Sequence, residues 1–139
     1  METPGWSEKL SVGHPVLDAH HRHLFELAHR AIALGAGTID RDAVRALLDE
    51  LIGYTAYHFD EEERLMALAG FPFLDLHRDS HRGIVLRLHD LSDSTADRPL
   101  AVVVVETAQF LAAWLVHHIE IEDFDYKPFI IATAFPPPG

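Results

Sequence analysis

Four segments of this chain repeat apolar residues every three or four positions, the period of one helix face, and each carries histidine on that same face. The first, from about Pro15 to Leu34, aligns Leu17, His21, Leu24, Phe25, Ala28 and Ile32 before Gly35-Ala36-Gly37 ends it. The second starts near Asp40, a residue suited to an N-cap, and aligns Val44, Leu47, Leu48, Leu51, Tyr54, His58, Glu62, Leu65 and Met66. Gly70 closes it. The third, from about Pro72 to Leu91, aligns Leu74, His77, His81, Ile84, Val85 and Leu88, and Ser92-Asp93-Ser94-Thr95 after it reads as a polar loop. The fourth starts near Pro99 and runs to about Glu122. Its Val102-Val103-Val104-Val105 run is β-branched and would suit a strand. The period set by Val103, Thr107, Phe110, Leu111, Trp114 and His118 makes it a helix, because a lone strand would find no partner in this chain.

Helices of roughly 20 residues are about 30 Å long. Joined by short loops, four of them predict an all-α protein, an up-down-up-down antiparallel four-helix bundle. The expected boundaries are an N-terminal arm over 1–14, a bundle over 15–126 and a C-terminal tail over 127–139, all in one domain, as 139 residues would allow. Trp6 is expected to anchor the arm by packing on the bundle, and Phe135-Pro136-Pro137-Pro138-Gly139 is expected to be irregular.

His21, His58, His77, His81 and His118 therefore fall where the bundle core should be. A buried imidazole without a partner is costly, and a metal centre would satisfy several of them at once. The chain has no Cys, so disulfides, thiol catalysis and Cys-ligated clusters are excluded, and a metal would be held by histidine and carboxylate. The spacings fit ligation: His58 and Glu62 are four apart, as are His77 and His81, and such pairs share one helix face. From His118 the i+4 residue is Glu122 and the i+5 residue is Asp123. Spacing favours Glu122, and only a shorter side chain near a frayed or tightened helix end would favour Asp123. Glu61 and Glu63 point further round their helix and read as a solvated acidic face.

Charge removes other classes. Asp and Glu number 22 against 11 Lys and Arg, a formal net charge of −11. No nucleic acid is expected as partner, since phosphate contacts need clustered cations, nor an anionic membrane surface. The longest apolar runs, Leu100 to Val105 and Phe110 to Val116, are shorter than the ~20 residues of a membrane span, and no signal peptide is visible. The expectation is a cytoplasmic, monomeric protein.

Taken in order, Leu17-Asp18-Ala19-His20-His21, His58-Phe59-Asp60-Glu61-Glu62-Glu63-Arg64-Leu65-Met66, His77 with His81, and Trp114-Leu115-Val116-His117-His118-Ile119 with Asp123 resemble the hemerythrin family in its single-domain bacterial form. The resemblance runs from Trp6 to about Tyr126. It implies seven metal ligands: His21, His58, Glu62, His77, His81, His118 and Asp123, the last preferred over Glu122 on the family's pattern. It further implies two non-haem iron ions under an oxo or hydroxo bridge. Glu62 and Asp123 would bridge them. His77, His81 and His118 would hold one iron, and His21 and His58 the other. Of twelve positions on two six-coordinate irons, this set leaves one vacant, on the two-histidine iron, for O2.

The implied function is reversible O2 binding for transport, storage or delivery to an oxygenase, with no enzymatic turnover. Five neutral imidazoles with two carboxylates are less anionic than the shells of di-iron oxidases, built from glutamates and Glu-x-x-His pairs. Leu115, Trp114 and Phe59 would wall an apolar oxygen pocket. His20 and His117, beside ligands, read as solvated or helix-surface residues, with tuning of the neighbouring ligands as the alternative. The alternatives are an O2 or redox sensor acting through a separate partner, a di-iron peroxidase or ferroxidase, and a zinc or nickel buffer.

Overall fold

The structure is a computed structural model that describes residues 5–134. Within them are a 3-10 turn at Glu8–Leu10, then α1 (Pro15–Ala36), α2 (Arg41–Leu68), α3 (Leu74–Ser94), α4 (Leu100–His117), a π-helical turn at His118–Asp123, and α5 (Phe124–Ala134). No strand occurs among the described residues. The fold is the expected antiparallel four-helix bundle with an N-terminal arm. Val102–Val105 is helical, and Val103 and Val104 are buried with Val44, Leu48 and Leu91 in a small cluster. Burial against neighbours overrides strand propensity there.

Local chemistry sets the helix ends. His14 is the N-cap of α1: its Nδ1 accepts from the Leu17 amide at 3.4 Å, with Pro15 at the first helical position. Asp40 caps α2 as expected, accepting from the Ala43 amide at 3.1 Å. Gly70 (φ 71°) closes α2 with the paired bonds of a Schellman motif: the Phe71 amide donates to Met66 and the Gly70 amide to Ala67.

Three boundaries differ from the sequence reading. Ser92–Ser94 belong to α3 rather than to a loop. Ser94 Oγ donates to the Leu91 carbonyl and Thr95 Oγ1 to that of Ser92, so the hydroxyls satisfy end carbonyls that water would otherwise take. The second difference is the start of α3, at Leu74 rather than Pro72. The third is the stretch after the expected bundle, 127–134, which is helical, while Phe135–Gly139, the segment expected to be irregular, lie outside the described residues. The reason is burial: Tyr126 and Ile130 are in the main core, and Ile131 lies where a Cβ on Gly13 would be. Gly13 has φ 78°, so this corner of the arm needs glycine for both conformation and space.

The arm is pinned as its aromatic residue suggested. Trp6 packs on the core, with the Arg22 guanidinium over its ring at 4.4 Å. Asp18 is buried. It accepts from the Val12 amide at 2.9 Å and from Ser11 Oγ at 2.6 Å.

The continuous helical run Leu100–Thr133 is long and apolar enough to cross a membrane by length and composition, a property that the separate apolar runs did not reveal. Here it packs in the bundle and carries buried His118 and Asp123 in its middle.

Candidate metal centre

Antiparallel helices bring alternate ends together, and the candidate residues obey that rule. His21 lies early in α1, His58 and Glu62 late in α2, His77 and His81 early in α3, and His118 just past α4. All seven candidates are at most 5% exposed.

The five imidazoles converge through the same atom. His21 Nε2 is 3.1 Å from Asp123 Oδ2 and 3.6 Å from Glu62 Oε2. His58 Nε2 is 3.2 Å from Glu62 Oε2. His77 Nε2 is 3.1 Å from both Glu62 Oε1 and Asp123 Oδ1. His81 Nε2 is 2.9 Å from Glu62 Oε1, and His118 Nε2 is 3.1 Å from Asp123 Oδ1. The ligand atoms form two groups, Glu62, His77, His81, His118 and Asp123 in one and His21, His58, Glu62 and Asp123 in the other, each within 4.8 Å. Both carboxylates belong to both groups. That overlap is consistent with two adjacent metal positions sharing Glu62 and Asp123.

The donor set fits a cation. The Nε2 atoms of His21, His58, His81 and His118 and both oxygens of Asp123 are buried without a hydrogen-bond partner among the described residues. Native interiors rarely leave so many polar atoms unsatisfied together, and two ions at the centre would satisfy them.

The π-turn decides between Glu122 and Asp123. The Phe124 amide donates to the Ile119 carbonyl, an i to i−5 bond. Such a turn holds one more residue than an α-turn, so position i+5 returns to the face where i+4 would lie. Asp123 therefore faces His118 Nε2, while Glu122 comes within 3.5 Å of the outer nitrogen, His118 Nδ1.

The electrostatics are those of a charged cluster closed off from water. Burial opposes protonation of His21, His77 and His118. The nearby Asp123 and Glu62 carboxylates outweigh it, with Glu122 adding at His118, raising His21 and His77 to about 9 and His118 to about 10. His58 is pushed down to about 4 by burial, which Glu62 only partly offsets. Burial acts to raise Glu62, but His58, His118 and His21 hold it well below the usual carboxylate range.

Several contacts escaped the sequence reading. Tyr126 Oη donates to Glu62 Oε2 at 2.8 Å from a fully buried position, and its pKa is pushed well above the ordinary phenol value by burial, with Asp123 and Glu62 adding to the shift. Glu63, expected on a solvated face, lies 2.8 Å from His81 Nδ1. Glu61 does sit at the surface, paired with Arg64. His20, expected to be solvated, is buried with Nδ1 3.0 Å from His58 Nδ1. His117 is exposed as expected. Neither the Tyr126 nor the Glu63 contact leaves a trace in helical spacing, because each joins different elements.

The proposed wall residues are adjacent to the histidines. Phe59 stacks on His81 with centroids 3.6 Å apart and planes at 3°. Trp114 meets Phe59 edge-on at 6.0 Å and lies 5.5 Å from His118. Leu115 is buried beside them in the same core.

Comparison with known proteins agrees with this geometry. Residues 12–130 match the family model described as the hemerythrin HHE cation binding domain. A bacteriohemerythrin of Stenotrophomonas maltophilia (strain R551-3) is 30% identical over 131 residues, covering 87% of this chain and 77% of that protein. A myohemerythrin of Riftia pachyptila is 32% identical over 122 residues, covering 88% and 89%. A crystal structure of wild-type hemerythrin shares the fold with a TM-score of 0.82 at 24% identity, covering 93% of this chain and 98% of that one. With a family match across most of the chain and a shared pair of carboxylates between two histidine groups, the protein belongs to the hemerythrin HHE cation-binding family.

Proposed function

We propose that this protein is a bacteriohemerythrin-type oxygen carrier, binding O2 reversibly at a non-haem di-iron centre. The observation that carries the reading is the overlap of two ligand groups on Glu62 and Asp123. When bound, two ferrous ions supply the electrons that take up O2 and recover them on its release. His77, His81 and His118 would hold one ion and His21 and His58 the other, with Glu62 and Asp123 available to both.

The rest of the chemistry belongs to the protein's own side chains. Tyr126 keeps its proton and donates a hydrogen bond to Glu62 Oε2, which fixes the orientation of that carboxylate. Phe59, Trp114 and Leu115 exclude water from the histidine cluster, where a proton source would favour irreversible oxidation. A shell of five imidazoles and two carboxylates is modest in negative charge, which favours reversible binding over oxidation of other substrates.

The test is anaerobic loading with Fe(II), metal analysis, and repeated exposure to O2 and its removal. A carrier holds about two irons per chain, and its visible absorption appears and disappears with each cycle. Irreversible conversion to the ferric form, or turnover of peroxide or ferrous iron, would overturn the carrier reading in favour of a sensor or an enzyme. Zinc alone in the purified protein would overturn the iron reading.

A further inference from the structure

The outward-facing ring nitrogens of the histidines are not treated alike. On the three-histidine side, His81 Nδ1 is 2.8 Å from Glu63 Oε2. Glu63 is itself held by Arg78, whose Nε donates to Oε1 at 3.2 Å. His118 Nδ1, with a Glu122 oxygen 3.5 Å away, has no hydrogen-bond partner among the described residues, so the Glu63 bond to His81 is what marks this side. On the two-histidine side, the partner of His58 Nδ1 is the imidazole of buried His20, at 3.0 Å, and His21 Nδ1 is buried with no hydrogen-bond partner among the described residues.

A carboxylate accepting a ring N–H makes the opposite nitrogen a stronger donor to a metal, and it locks the tautomer. A neutral imidazole does this more weakly. From this asymmetry we infer that the two metal positions have unequal affinity. The position at His77, His81 and His118 fills first, with Glu63 as the positioning residue that tightens it through His81. The position at His21 and His58 fills second, with His20 as its positioning residue. The inference rests on the seven-residue cluster holding metal, and it is independent of oxygen binding.

The experiment is titration of the metal-free, full-length protein with Co(II), in competition with a chelator. Affinities are read from the d–d absorption, and the site filled is read from hyperfine-shifted imidazole resonances by NMR. The expected result is two separable steps, with shifted resonances from three histidines at the first. Glu63→Gln, at a half-buried position on the helix surface, should weaken the first step by about 10- to 100-fold, the range for loss of such a partner, and leave the second unchanged. Glu63→Asp should recover part of that loss. His20→Ala should weaken the second step alone. Should His20→Ala not fold by circular dichroism, Glu63→Gln decides the matter. Two indistinguishable steps, a first step marked by two histidines, or equal weakening of both steps by Glu63→Gln overturns the inference. Failure to bind Co(II) at all overturns the reading of the centre as a metal site, whereas failure of reversible O2 binding alone leaves this inference standing.

Discussion

Asp123 Oδ1 lies 3.1 Å from His118 Nε2, five residues behind it in the chain, because the backbone between them is wound as a π-turn. Glu122, at the spacing an α-helix would use, is turned to the other ring nitrogen. The two carboxylates thus have different tasks, one inside the cluster and one at its edge. Asp123→Asn should lower the iron content from about two per chain to about one or none, since it removes a carboxylate common to both groups. Glu122→Gln should retain both irons. Metal analysis of the two variants after anaerobic loading checks this, and the reverse order would show that Glu122 is the ligand.

Tyr126 donates to Glu62 from a position with no access to water. Tyr126→Phe removes the donor and leaves Glu62 Oε2 with less compensation for its burial. A hydrogen bond to a charged group contributes roughly 1.5–3 kcal/mol. The metal-free variant should lose about that much stability in urea denaturation. A loss below about 0.5 kcal/mol would mean that the phenol contributes little to holding Glu62.

Leu115→Ala opens space beside the histidine cluster. Truncation of a buried leucine costs about 2–5 kcal/mol. In the iron-loaded protein the variant should also autoxidise faster than the parent, seen as decay of its oxygenated absorption. An unchanged rate in a folded, iron-loaded variant would remove Leu115 from the wall of the pocket.

The metal-free protein should have a bell-shaped dependence of melting temperature on pH. His21 and His77 at about 9 and His118 at about 10 bind protons more tightly in the folded chain than at the ordinary value of 6.5. Their contribution is full below pH 6.5 and is lost as pH rises through 9 to 10. The lowered carboxyl of Glu62 acts in the opposite sense, contributing above its ordinary 4.5 and losing that contribution as pH falls further. His58, lowered to about 4, adds to the acid loss as pH falls from 6.5 towards 4. Metal held by neutral imidazole displaces the extra protons, so loading at pH 7 should release protons, measurable in weak buffer. It should also abolish the alkaline fall in melting temperature. A fall that persists in the metal-loaded protein would locate its cause outside the cluster.

The helical period placed His21, His58, His77, His81 and His118 on core-facing stripes, and the missing cysteine left them the evident metal donors. These are local properties. A stripe repeats along one helix, and i to i+4 pairs such as His58 with Glu62 are set by the winding of that helix alone. Asp40 and Gly70 were legible for the same reason, as helix ends written in one or two residues. The resemblance to a known family added Asp123, which spacing by itself did not favour.

What the sequence alone determined is therefore the helices, their inward faces and the chemical type of the site. The tertiary structure decided what meets across helices. It placed Glu63 on His81, His20 on His58, Tyr126 on Glu62 and Ile131 against Gly13, and it buried Asp18 under the arm. It also wound the π-turn that turns Asp123 inward, and it kept residues 127–134 helical by giving Ile130 and Tyr126 a core to enter. None of these contacts has a period, because each depends on how one helix is rotated and shifted against another. That packing is a property of the whole bundle, whereas the stripe that drives it can be read along a single helix.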